Sequence, residues 1–235
     1  VQNLKKTSFM KSKLFFFASV LFSTGLVIGQ IQGNGGIPLS KKSKSLTQAN
    51  TISFAQPDIE ALQQEDVIVE ANNSGPWRFG YNNETTINLT NSGVWDLIPN
   101  GGKIWRTKIV CEGALTVNLT MDNVKLPVGN ELYVYNEDKT FILGKFEANH
   151  LYLGNLGTEL VPGNTVIVEY YVAPNNSLSD AAMNIATVTH GYRTANEFAE
   201  KAFGSSGNCN MNVNCPDGTP WEAHKRGAIM LVSGS

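Results

Sequence analysis

Ile104-Trp105-Arg106-Thr107-Lys108-Ile109-Val110-Cys111 is the stretch whose reading decides the fold. Successive side chains of an extended chain point to opposite faces, so this segment divides into two rows. Ile104, Arg106, Lys108 and Val110 form one row; Trp105, Thr107, Ile109 and Cys111 form the other. The second row is the expected inner face, and it makes Cys111 a buried free thiol. A reactive thiol needs a cationic neighbour, and no His or Lys stands beside Cys111 on that face. Pro99-Asn100-Gly101-Gly102 is a strong turn signal just before the strand.

The pattern repeats on both sides. Upstream lie Val67-Ile68-Val69, Trp77-Arg78-Phe79-Gly80-Tyr81, Thr85 to Leu89, and Val94-Trp95 after the turn Asn91-Ser92-Gly93. Downstream lie Ala114 to Leu119, Glu131 to Tyr135, Thr140 to Gly144, Thr165 to Tyr171, and Asn184 to His190. Short strands roughly every ten residues, separated by Gly/Pro/Asn turns, predict an all-β fold, a β-sandwich or jelly roll. We place this sandwich at residues 66–175. Pro174-Asn175-Asn176-Ser177 marks its exit, and residues 176–203 form a connecting strand and helix. The helix is expected over Thr194 to Phe203, with Thr194 and Glu197 as a capping box and Gly204 as its stop.

The chain has 235 residues and a net charge of −2, enough for one large or two modest cores. No basic stripe dominates, which argues against a nucleic-acid binder. Abundant Gly, Asn and Thr favour a β-rich secreted protein. Lys5, Lys6, Lys11 and Lys13 precede an apolar run from Leu14 to Ile28. That run is shorter than the ~20 residues of a membrane span. With Val27 and Gly29 at the −3 and −1 positions it predicts a signal peptide over residues 1–29, cut between Gly29 and Gln30. Residues 30–65 form an expected leader arm. It carries the solvated run Lys41-Lys42-Ser43-Lys44-Ser45 and one or two helical turns over Pro57 to Gln64, with Pro57 at the first helical position.

Several residues suggest binding chemistry without settling it. Trp77 or Tyr135 would stack on a sugar ring if exposed. Asp122, Glu131 and Asp138 are oxygen donors for Ca²⁺, but they lack a dense D-x-D-G pattern. Sequons start at Asn72, Asn83, Asn88, Asn118 and Asn175 and inform only in a glycosylating host. No cofactor and no metal are expected.

Gly204-Ser205-Ser206-Gly207-Asn208-Cys209-Asn210-Met211-Asn212-Val213-Asn214-Cys215-Pro216 holds the other two cysteines. If it is extended, Cys209 and Cys215 share the apolar face with their Cα atoms ~20 Å apart, whereas a disulfide needs less than ~7 Å. Either the segment curls, or each cysteine has a partner elsewhere; Cys111 is the remaining thiol in this chain.

From Ser206 to Pro216, with Trp221 and Lys225-Arg226-Gly227-Ala228-Ile229-Met230-Leu231, the sequence resembles the start of the mature domain of bacterial lysyl-endopeptidase-like enzymes. These are secreted trypsin-like serine proteases. Upstream, Gly75-Pro76-Trp77-Arg78-Phe79-Gly80, Gly93-Val94-Trp95, Trp105-Arg106, Gly113-Ala114, Leu126-Pro127-Val128-Gly129, Val168-Glu169-Tyr170-Tyr171 and His190-Gly191-Tyr192-Arg193 resemble the β-rich region that precedes the protease in related Bacteroidetes precursors. The resemblance implies a pro-region followed, over residues 204–235, by the first strands of a trypsin-like double β-barrel. It implies that Cys209 and Cys215 bond to different downstream cysteines. It also implies peptide-bond hydrolysis, with protein or peptide substrates cut after Lys or Arg, and a pro-domain packed on its own protease domain. Lys201-Ala202 then marks a maturation cut. The family's Thr-Ala-x-His-Cys motif does not occur here. His150, His190 and His224 lack its flanks, and Ser205-Ser206-Gly207 is a flexible join rather than a nucleophile elbow. A triad needs three groups within hydrogen-bond reach, so no catalytic residue is assigned and this stretch alone is expected to be inactive. The alternative is a non-catalytic secreted adhesion or glycan-binding module. Both readings place the protein outside the cell or on its surface, free of the membrane after signal cleavage.

Overall fold

The computed structural model describes residues 36–43 and 45–194. They form two β-sheets that face each other across one apolar core, an all-β architecture. The single-turn helix α1 (Leu39–Lys42), strand β1 (Asn50–Phe54) and helix α2 (Ile59–Asn72) come first. Then follow β2 (Gly80–Asn88), β3 (Val94–Leu97), β4 (Lys103–Cys111), β5 (Thr116–Lys125), β6 (Glu131–Asn136), β7 (Ile142–Phe146), β8 (Leu156–Gly157), β9 (Val161–Pro162), β10 (Thr165–Val172) and β11 (Ala182–Gly191).

The first sheet runs β1-β4-β10-β6-β7, with β3 also on β4. The expected inner row of β4 is inner: Trp105, Thr107, Ile109 and Cys111 are all fully buried. Opposite them stand Val166, Val168 and Tyr170 of β10 and Val134 of β6. The second sheet runs β2-β11-β5-β8, with β9 also on β5. It contributes Val117, Leu119 and Met121 of β5 and Ile185 and Val188 of β11 to the same core. Burying each such aliphatic side chain contributes about 1.5–3 kcal/mol.

Both sheets cover a central strand's free edge with two short strands laid end to end. β3 pairs antiparallel with Lys103 to Arg106, and β1 pairs parallel with Thr107 to Cys111. On β5, β9 covers Thr116 and Val117 while β8 covers Thr120 and Met121. The β3–β4 hairpin turns where Asn100 and Gly101 were expected to turn it: Gly101 has φ +84° and its N–H donates to the Ile98 carbonyl at 2.9 Å. Gly93 also has positive φ (+73°) because the ring of Trp105 lies against it; a Cβ there would meet the ring at 2.3 Å.

Several expectations are corrected. Val67-Ile68-Val69 is not a strand but part of α2, which runs 14 residues rather than one or two turns. Asp58, not Pro57, begins it: the Asp58 carboxylate accepts from the Ala61 N–H at 3.0 Å, an N-cap that a β-branched triplet further along does not undo. Trp77 to Phe79 precede a strand that starts at Gly80. The arm is more organised than a leader, because β1 completes an edge of the first sheet. The strand around Asn184 to His190 does not connect the sandwich to something else; β11 lies between β2 and β5 inside it. The helix expected over 194–203, and Gly29, Gln30, Lys201, Ala202, Cys209 and Cys215, lie outside the described residues.

Candidate functional site

The densest charged cluster forms where α2 crosses the end of the second sheet. Asp66, 3% exposed, lies at its centre. Its Oδ1 accepts from Arg78 Nε at 2.8 Å; its Oδ2 accepts from the Tyr192 hydroxyl at 2.7 Å and pairs with Arg193 at 3.0 Å. Arg78 also reaches Glu65 at 3.0 Å and the Leu62 carbonyl at 2.9 Å. Arg193 reaches Glu70 at 2.5 Å, and its guanidinium stacks over Trp77 at 5.4 Å and Tyr192 at 5.9 Å from the ring centres. Burial first, then the Asp66 carboxylate, pushes the Tyr192 hydroxyl up to about 12. Planar guanidinium groups suit this forked, stacked arrangement as lysines would not.

Two separate stretches build the cluster because strand pairing brings them together. His190 pairs with Tyr81 and Gly191 with Gly80, and the Tyr192 and Arg193 amides both donate to the Phe79 carbonyl at 3.1 Å. A Cβ on Gly80 would meet the His190 carbonyl at 2.9 Å. The cluster offers binding and positioning chemistry. Among the described residues it holds no nucleophile–base pair.

A second polar site occupies the outer face of the first sheet. Parity sends Ile167, Glu169 and Tyr171 of β10 outward, and Glu169 lies between Arg106 of β4 and Tyr133 of β6. Glu169 is fully buried nonetheless, because the arm crosses over it. Its carboxylate accepts from the Ser40 N–H at 3.1 Å and the Tyr135 hydroxyl at 2.9 Å. Ser40 Oγ lies 3.0 Å from the Tyr135 hydroxyl, and Lys139 Nζ lies 5.5 Å from the Tyr135 ring centre. Burial, and next the Glu169 charge, raises Tyr135 above the ordinary phenol range. Farther along, the Thr47 N–H donates to Asp96 at 2.9 Å, and Arg106 bonds both Asp96, at 2.8 Å, and the Thr47 carbonyl. Burial alone would raise the Asp96 carboxyl, but Thr47 and Arg106 outweigh it and hold it below the ordinary value.

The residues picked out for sugar or calcium binding are not brought together. Trp77 is half-buried under Arg193, and Tyr135 is buried under the arm. Asp122 lines a cleft of about 410 Å³ with Asn88, Thr90 and Asn184, and accepts from Asn184 at 2.8 Å. Asp138 is bound to Thr140, and Glu131 to Tyr133 and Lys145. Among the described residues no three acidic, His or Cys side chains gather as a metal site. Cys111 is a buried free thiol that burial pushes up to about 11, which disfavours the thiolate. His190 is fully buried with neither ring nitrogen bonded, and burial lowers its pKa. His150 Nδ1 accepts from the Glu147 N–H at 2.9 Å and closes a turn.

Asp66, Glu169 and Ser40 were not singled out as site residues from sequence. For Glu169 there was a signal: one carboxylate in an otherwise apolar strand, Thr165 to Tyr171. For Asp66 the strand reading of its neighbours hid it.

No protein-family model matches the chain. Among solved structures it is similar to the insecticidal crystal protein Cry2Aa, at 11% identity over 50% of this chain and with a TM-score of 0.24. The match spans about a fifth of that protein, 22%, and carries no assignment.

Proposed function

We propose that the chain is the export signal, pro-region and N-terminal edge of a secreted serine endopeptidase precursor. The observation that supports it most is the cluster around Asp66. Trp77-Arg78-Phe79-Gly80 and His190-Gly191-Tyr192-Arg193 both belong to the resemblance to such precursors. They lie about 110 residues apart in sequence and form one hydrogen-bonded unit. From Arg193 the sequence continues directly toward Lys201-Ala202 and the cysteine pair. In this reading the sandwich is the pro-domain, and Asp66 and its arginines hold its last residues. Residues 1–235 hydrolyse nothing on their own.

The whole gene product is expected to cleave lysyl or arginyl peptide anilides, to lose that activity to a serine-directed sulfonyl fluoride, and to mature with Ala202 as its N-terminus. A secreted product that keeps the sandwich, has no amidase activity and starts near Gln30 sinks the proposal. That outcome favours the adhesion or glycan-binding module, which otherwise has less behind it: Trp77 stacks with Arg193, and Tyr135 is buried.

A further inference from the structure

The arm crosses the outer face of the first sheet on two anchors. The first lies at its start. Leu39 packs on Ile98, Ile104 and Tyr171, Ser40 bonds Glu169, and Gly36 lies so close to Tyr133 that a Cβ would meet its hydroxyl at 2.5 Å. The second is Thr47, tied to Asp96 and Arg106, three residues before β1 begins at Asn50. Between them runs a bridge that includes Lys41, Lys42 and Ser43. Lys41 and Lys42 are exposed, and neither side chain has a hydrogen bond or ion pair among the described residues. Ser43 has left the helix with extended backbone, φ −103° and ψ 126°. The helix before it is a single turn without a side-chain N-cap bond, so it opens at little cost.

Proteases bind their substrates extended, which ranks the other lysines. Lys103, Lys108, Lys125 and Lys145 lie within β4, β5 and β7. Lys139 sits in a tight turn with φ +58° and is half-buried. Lys42 alone among the described lysines is exposed, lies outside every strand and precedes a residue with extended backbone.

We propose that the Lys42–Ser43 bond is a processing site, and that cutting it unlatches the arm from the outer face of the first sheet. Hydrolysis needs only water: the C–N bond breaks, hydroxyl adds to the Lys42 carbonyl carbon, and a proton goes to the Ser43 nitrogen. The second anchor and β1 stay in place. The first anchor, now held by Leu39 and Ser40 without its covalent tie, leaves, and its departure opens Glu169 and Tyr135 to water. The inference does not rest on the protease reading, since any secreted endopeptidase that cuts after lysine suffices.

Limited digestion of the whole chain with a lysine-specific endopeptidase tests it, followed by N-terminal sequencing and native gel filtration. Of the cuts between residues 36 and 194, the earliest is expected to start a fragment at Ser43, and the piece ending at Lys42 is expected to separate from the body. Ser40→Pro, which removes the N–H to Glu169, and Glu169→Gln, which keeps the shape and removes the charge, should each speed the cut roughly ten-fold, as loss of a charge-assisted hydrogen bond implies. A first cut at a strand lysine, a nicked piece that stays bound, or an unchanged rate in both variants overturns the proposal.

Discussion

Asp66 holds two arginines and a tyrosine on two carboxylate oxygens in near-complete burial. Such a group costs far more to remove than its contacts suggest, because its partners are left charged and desolvated. Asp66→Ala is expected to lower unfolding stability by about 3 kcal/mol, read as a shift in the urea midpoint at constant slope. A change under about 0.5 kcal/mol would mean that solvent replaces the carboxylate freely. His190 presents the opposite case, a buried imidazole with no partner at either nitrogen. Burial holds its pKa below the ordinary value, so as pH falls the unfolded chain takes up the proton first. Its contribution is therefore constant above about pH 6.5 and turns against folding below it, by at most about 1.4 kcal/mol per pH unit. Urea midpoints from pH 7.5 to 5 should fall more steeply for the natural chain than for His190→Leu; parallel slopes would refute this.

At the scale of elements, legibility followed the alternation of side chains. The row Trp105, Thr107, Ile109, Cys111 was readable because parity alone decides which face a strand buries. The same rule failed at Val67-Ile68-Val69, where three β-branched residues look like strand but Val67 and Ile68 are exposed on the surface of α2. What holds that helix is Asp58 at one end and Asp66 against Arg78, Tyr192 and Arg193 in its middle, and the last two contacts, across more than 120 residues, leave no local trace. The candidate site was legible only in halves, since nothing in the sequence says that Trp77-Arg78 and Tyr192-Arg193 meet. Close approach beside an element is testable at Gly93, just before β3 begins. Gly93→Ala combines positive φ with a Cβ at 2.3 Å from Trp105, and should cost at least about 2 kcal/mol through strain and displacement of the ring. Thermal or urea unfolding reads the loss directly, and a neutral variant would show that the indole has room to move.

For the molecule as a whole, the arm decides whether the first sheet has a finished surface. It covers a buried carboxylate, fills a small apolar cluster with Leu39 and Leu46, and then supplies β1 as an edge. A chain beginning at residue 55 loses all three. It should expose the backbone of β4 from Thr107 to Cys111 as an unpaired edge, an invitation to pair with another copy. Gel filtration at micromolar concentration is expected to show larger species for this truncated chain than for the intact one. Equal elution of both would indicate that β3 and the twist of the sheet protect the edge without help.

The end-to-end pairs that flank β4 and β5 have a further consequence. A long strand bordered by a single neighbour along its whole length gains or loses that border as a unit. Here each border is made of two pieces: β1 and β3 on one sheet, with residues 55–93 between them, and β8 and β9 on the other, with only residues 158–160 between them. On the first sheet one piece can therefore swing away while its companion still holds the register of β4. The sandwich has a selvedge sewn in two separate seams, so half of it can be unpicked without the cloth beginning to run.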